Sequence, residues 1–135
     1  MYVFDTNIII EFLRGRLPEG LELLKNTDFR LIKIPAIVEA ELLLGALKSR
    51  NPDKNRSAVE NLLCNYEIVP FDSACARIYA RIRADLEATG QIIGPNDLIV
   101  AATALSHDAI LATNNVREFE RVPNLRLMSL CEIGL

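Results

Sequence analysis

Three acidic residues in this chain lie in apolar stretches where a carboxylate needs a physical reason to be present. Asp5 ends the run Tyr2-Val3-Phe4 and precedes Thr6, Asn7 and Ile8-Ile9-Ile10, a pattern that reads as strand, carboxylate, helix. Glu41 sits within Glu39-Ala40-Glu41-Leu42-Leu43-Leu44-Gly45, and Asp97 within Gly94-Pro95-Asn96-Asp97-Leu98-Ile99-Val100-Ala101-Ala102. At the carboxyl end of a parallel strand a charged side chain faces the crevice where ligands bind. Three such acids suggest a divalent metal site. Carboxylate oxygens suit Mg²⁺ or Mn²⁺, which keep several waters and accept phosphate oxygens as further ligands. Such an ion can polarise a phosphoryl group and activate water for in-line attack.

Each acid also has an ordinary structural reading. Asp5 can cap the helix that follows it, and Asp97 falls in a first helical turn, where the macrodipole favours an anion by about 0.3–1 kcal/mol. Glu41 is harder to dismiss. On a helix it shares a stripe with Ile37 and Leu44, a face expected to turn toward the core, and a buried unpaired carboxylate costs several kcal/mol. Lys48 is a possible partner two turns on, and periodicity alone does not choose between Glu41 and the nearby Glu39. A fourth polar cluster, Thr113-Asn114-Asn115-Val116-Arg117-Glu118, follows an apolar run and falls on the same edge as Asp5. Its alternative reading is a polar turn, since Asn tolerates left-handed backbone.

The elements that must position these groups follow from periodicity and punctuation. Residues 2–5 read as a strand, 7–14 and 18–26 as short helices, and Phe29 to Ile34 as a second strand stopped by Pro35. An apolar helix runs from Pro35 to about Arg50, and Asn51-Pro52 breaks it before another helix over 54–65, giving a helical hairpin. A strand from Tyr66 to Val69 leads to a helix that Asp72 can cap and Gly90 terminates, with the stripe Cys75, Ile78, Tyr79, Ile82 and Leu86. Pro95 opens an almost wholly apolar helix to about His107. A strand at Ile110 to Ala112, a short helix at Arg117 to Glu120 and a strand at Leu125 to Ser129 complete the alternation. Alternating strands and helices predict an α/β fold, a small, mostly parallel sheet covered by helices on both faces.

Composition narrows the class. At 135 residues the chain predicts one domain, residues 1–135, able to bury roughly 70% of its unfolded surface without disulfides. Cys64, Cys75 and Cys131 are odd in number, widely spaced and set in apolar segments, which favours reduced core thiols. No basic-then-apolar leader precedes Asp5, and no apolar run approaches the roughly 20 residues that span a bilayer, so the expectation is a cytoplasmic protein without a membrane partner. The net charge of −3 is unlike that of duplex-binding proteins, but several acids would be consumed by a metal, and fifteen Lys and Arg recur along the chain. Phosphate contact stays open beside the reading of those arginines as solvated helix faces. The single histidine, His107, lies near a helix C-terminus, where it suits the dipole. A hydrolase built here must therefore lean on metal.

The four blocks together carry a resemblance. Val3-Phe4-Asp5-Thr6-Asn7, Glu41-Leu42-Leu43-Leu44-Gly45-Ala46, Gly94-Pro95-Asn96-Asp97-Leu98-Ile99-Val100-Ala101-Ala102, and Thr113-Asn114-Asn115 with Arg117-Glu118-Phe119 look like the PIN-domain ribonucleases. The match is greatest to VapC-type toxins of toxin–antitoxin pairs, and it runs along the entire chain in order. The resemblance implies a PIN-like fold, a Mg²⁺- or Mn²⁺-dependent endoribonuclease, and Asp5, Glu41 and Asp97 as catalytic metal-binding acids, choosing Glu41 over Glu39. It implies polar support from Thr6, Asn7, Thr113 and Asn115, a structured RNA substrate of the tRNA or rRNA class, a VapB-type antitoxin and a homodimer. One departure matters. Many members carry a fourth acid, usually Asp, where this chain has Asn115; either Glu118 takes its place or Asn115 holds a metal-bound water.

Rival readings belong to other classes. An aspartyl-phosphate phosphatase would want a second Asp at position 7, where Asn7 stands, and no Gly-rich phosphate loop is present. A catalytically weak PIN-fold protein that binds RNA or serves as a scaffold is the serious rival. With no Trp and few Tyr and Phe, stacking platforms for bases are sparse, so RNA recognition should rest on shape and phosphate contacts. An antitoxin would find a dock on the helical hairpin, where Leu42, Leu43, Leu47, Val59 and Leu62 exceed what one buried face needs.

Overall fold

A computed structural model of the chain describes residues 1–15 and 26–129. The helix expected over 18–26 and the thiol of Cys131 lie almost wholly or wholly outside the described residues. Five short strands form one sheet: β1 (Tyr2–Phe4), β2 (Ile32–Pro35), β3 (Glu67–Val69), β4 (Ile110–Ala112) and β5 (Leu127–Met128). Their spatial order is β3-β2-β1-β4-β5, and every neighbouring pair is parallel. In β1 both Val3 and Phe4 are buried, as a central strand covered on both faces requires.

Strands β2 and β3 are laid down on one side of β1, and β4 and β5 on the other. Parallel crossovers are right-handed, so reversing the direction of strand addition sends the connecting helices to opposite faces. The helices lying wholly within the described residues are α1 (Thr6–Leu13), α2 (Ala36–Leu47), α3 (Pro52–Leu63), α4 (Ser73–Ala88), α5 (Pro95–Ser106) and α6 (Val116–Phe119). Helices α2 and α3 pack as the expected hairpin, and α4 packs along α5. The reversal also creates a crevice beyond the carboxyl ends of β1 and β4, the place where ligands bind in open α/β sheets.

Local chemistry sets the element boundaries. The two hairpin helices are separated before Pro52 as expected, but the second begins at Pro52 itself rather than at residue 54, since the missing N–H costs nothing in a first turn. The segment expected to be extended from Phe29 instead begins with a 3₁₀ turn, Phe29–Leu31, because Asp28 accepts the Arg30 amide at 2.9 Å and pairs with its guanidinium. Asp72 accepts the Cys75 amide at 3.0 Å and caps α4, whose Cys75, Ile82 and Leu86 are buried. Past the end of α4, Gly90 adopts φ +70°, which only glycine takes without strain. Helix α5 buries Leu98, Val100, Ala101, Ala102, Thr103 and Ala104, the near-continuous burial its composition predicts. Two thiols depart from each other: Cys75 is buried, whereas Cys64 is exposed at the end of α3 and is no core group.

The hairpin's apolar surplus is smaller than its sequence suggests. The buried row of α2 is Val38, Leu42 and Ala46, at i, i+4 and i+8. The row through Ile37, Glu41 and Leu44 lies on its flank, and Leu44 is 55% exposed. Leu42 and Val59 belong to the core, Leu43 and Leu62 pack partly against it, and Leu47 remains 61% exposed.

Candidate metal and nuclease site

The crevice at the strand reversal is lined by Asp5, Thr6, Asn7, Ile10, Glu41 and Asp97, around an open polar cavity of about 210 Å³. Helices and strands distant in sequence converge there. Asp5 leaves the end of β1, and its residue is only 5% exposed. One carboxylate oxygen accepts the Ile8 amide at 3.0 Å, capping α1, and the other accepts the Thr113 hydroxyl at the end of β4. Asp5 is thus both cap and site residue, so the two readings of it are compatible. The Thr113 bond ties β1 to β4 across the reversal, and Thr113 is fully buried.

Glu41 projects from the flank of α2 and accepts the Thr6 hydroxyl at 2.7 Å, which steers its carboxylate toward the cavity. None of the ion pairs among the described residues joins it to Lys48. Glu39, two residues away, is rotated by about 200° around the helix and does not line the cavity. Asp97 stands in the first turn of α5, whose cap residue Gly94 supplies no side chain. His107, at the far end of that helix, is roughly 15 Å of helix rise from Asp97.

The expected cluster after β4 packs beside Asp97 rather than on the cavity wall. Glu118 accepts the Gly94 amide at 3.1 Å with one oxygen and the Asn115 side-chain amide at 2.8 Å with the other. The Asn115 backbone N–H donates to Thr113 Oγ1 at 2.9 Å. Sequence reasoning named Asn115 and Glu118 but missed the Gly94 amide, and no local signal marks a bond that spans 24 residues. It also missed Ile10, whose place on the wall follows only from the turn of α1 toward α2.

The carboxylates repel one another. Burial pushes the Asp5 carboxyl above its ordinary value; the Thr113 and Ile8 hydrogen bonds oppose that rise, and the Glu41 charge adds to it. Asp97 rises to about 6, through burial first, then the Glu118 charge and hydrogen bond, then the charges of Asp5 and Glu41. Glu118 moves the other way, because the Gly94 and Asn115 donors stabilise its anion. Carboxylates around a polar cavity whose wall, among the described residues, carries no cationic side chain fit a divalent cation. Among the described residues no three Asp, Glu, His or Cys side chains are gathered tightly enough to enclose an ion by themselves.

Comparison with known proteins agrees with this geometry. Residues 2–125 match the PIN domain. A relative named Ribonuclease VapC2, from Rickettsia felis, is 40% identical over 131 residues, covering 94% of this chain and 96% of the relative. A tRNA(fMet)-specific endonuclease VapC from Salmonella typhimurium is 34% identical over 130 residues, covering 96% of this chain and 98% of the relative. The toxin chain matched in a crystal structure of DNA-bound VapBC, also from Salmonella typhimurium, superposes with a TM-score of 0.92 at 33% identity, covering 96% and 98% of the two chains. The chain belongs to the PIN-domain family, in its VapC-type ribonuclease branch.

Proposed function

We propose that this protein is a Mg²⁺- or Mn²⁺-dependent endoribonuclease and the toxin of a type II toxin–antitoxin pair, acting in the cytoplasm. The observation that carries this reading is the convergence of Asp5, Glu41 and Asp97 on one open polar cavity at the strand reversal. A bound divalent ion would supply charge neutralisation for a phosphodiester and an activated water. The chain's own residues do the rest. Thr113 and the Ile8 amide fix the Asp5 carboxylate, and Thr6 fixes Glu41. Asn7, exposed on the rim, is placed to donate to a phosphate or base edge.

Structured RNA is the proposed substrate class. The Salmonella typhimurium relative is named for tRNA(fMet), which makes that tRNA the first to assay, ahead of rRNA. Restraint by a VapB-type antitoxin follows from the VapBC relatives and from a second feature of the surface. A mainly apolar groove of about 320 Å³ opens beside the acidic cavity, lined by Leu13, Leu42, Ala46 and Val59 together with the polar Arg14, Ser49 and Asn55, and sharing Ile10 and Glu41 with it. An antitoxin segment seated there could extend an Arg or Lys to Asp5 or Asp97 and exclude metal. The exposed Leu44 and Leu47, on the same helix, are assigned to a homodimer contact.

Mapping RNA ends in cells expressing the protein alone, or together with the small open reading frame beside its gene, tests the proposal. One dominant cleavage site, absent on co-expression and absent with Asp97→Asn, is the expected result. Identical end maps for Asp97→Asn and the unaltered protein would overturn it.

A further inference from the structure

A run of hydrogen bonds leads from Asp5 through residues outside the cavity to Gly94, which precedes the helix that carries Asp97. Thr113 Oγ1 donates to Asp5 and accepts the Asn115 backbone N–H. The Asn115 side-chain amide donates to Glu118 at 2.8 Å, and Glu118 accepts the Gly94 N–H at 3.1 Å, immediately before the helix that carries Asp97. A second bond anchors the same loop: the Arg121 guanidinium donates to the Ile92 carbonyl at 3.0 Å. Helix α6, which presents Glu118, is itself immobilised by Phe119, a fully buried side chain. A methyl group at Gly94 would lie 3.7 Å from Asp97 Oδ2 and 3.9 Å from Glu118 Oε1, so the two carboxylates converge over this glycine.

Both oxygens of Glu118 are therefore occupied, one by a backbone donor and one by an amide. The donor at 115 has to be an amide nitrogen. An Asp there would place a second anion 2.8 Å from Glu118, where the structure has a hydrogen bond.

Resting on the metal-dependent nuclease reading above, we propose that Asn115 and Glu118 are positioning residues. They form a clamp that ties the end of β4 to the first turn of α5 and so fixes Asp97 relative to Asp5. Outer-shell contacts of this kind typically change metal affinity or activity by 10–100-fold when removed. The pair also has a polarity that can be reversed. Asp at 115 would accept from a Gln at 118, whose carbonyl oxygen would still accept from Gly94.

The test is a charge swap read in two ways: RNA cleavage against Mg²⁺ concentration, and thermal melting in chelator. Asn115→Asp is expected to lose about tenfold or more in cleavage, to need more Mg²⁺ for half-maximal rate, and to melt lower without metal. Asn115→Asp/Glu118→Gln should recover most of the rate, the Mg²⁺ requirement and the melting temperature. Asn115→Leu, which has similar bulk and no donor, should show the loss without rescue by Glu118→Gln, and it keeps the test decisive if the single Asp variant does not fold. An Asn115→Asp protein as active as the parent, or with tighter Mg²⁺ use, would mark position 115 as an open ligand site and overturn the clamp. A double variant no better than the worse single one would overturn it too. The nuclease reading is judged separately, by the unaltered protein's own Mg²⁺-dependent cleavage.

Discussion

Replacing Asp97 by Asn should make the metal-free protein more stable while removing its activity. The Asp97 carboxyl is held at about 6 against an ordinary 3.8, mostly by burial and by Glu118. A shift of about two units at 1.36 kcal/mol each corresponds to about 3 kcal/mol between the protonation states. Asp97 is only half-buried, and solvent screening reduces the usable part to about 1–1.5 kcal/mol. The sign follows from proton counting: between pH 3.8 and about 6 the folded chain binds more protons at this group than the unfolded chain. Stability therefore falls as pH rises through that window, and the deficit persists above it. Asn carries no such charge and keeps an N–H donor for Glu118. In chelator at pH 8 the Asp97→Asn protein should melt about 3–6 °C above the parent, and the gap should narrow as the pH is lowered toward 4. Saturating Mg²⁺ should raise the parent's melting temperature and that of the variant much less. A variant that melts below the parent in chelator at pH 8 would refute the reasoning, because it would show that the Asp97 charge is already compensated inside the protein.

Two further outcomes follow. Thr113→Val keeps the volume of a fully buried residue but removes both its donation to Asp5 and its acceptance of the Asn115 amide; chemical denaturation should show a loss of about 1–3 kcal/mol, together with weaker Mg²⁺ use. Leu44→Glu and Leu47→Glu alter exposed positions, so melting should stay within about 0.5 kcal/mol of the parent, while sedimentation should show a weakened homodimer; an unchanged dimer would remove these leucines from the interface.

The site was legible wherever a carboxylate interrupted an apolar run at a strand or helix terminus. Asp5 and Asp97 stood out for that reason, and the parallel α/β order followed from the alternation of elements. Glu41 was chosen over Glu39 only by resemblance, because α2 is apolar on several sides and its buried row, Val38, Leu42 and Ala46, is one of several rows the sequence permits. The 3₁₀ turn at Phe29–Leu31 escaped notice because a side chain satisfying its neighbour's backbone, Asp28 with Arg30, outweighed a β-like pattern. The Gly94 to Glu118 bond had no sequence signal at all. Its partners are brought together by the packing of α5 against the end of β4, a consequence of the whole fold and of no local pattern.

The most direct test of the central claim is cleavage of a purified tRNA by the antitoxin-free protein, titrated with Mg²⁺ after complete chelation and run in parallel with Asp5→Asn. The expected result is no cleavage in chelator, saturable recovery as Mg²⁺ is added, and at least a hundredfold lower rate for Asp5→Asn at every concentration, on the scale of losing an essential charge-stabilising group. Cleavage that persists in chelator, or an Asp5→Asn protein that matches the parent, would contradict the assignment of these acids to a metal-dependent nuclease.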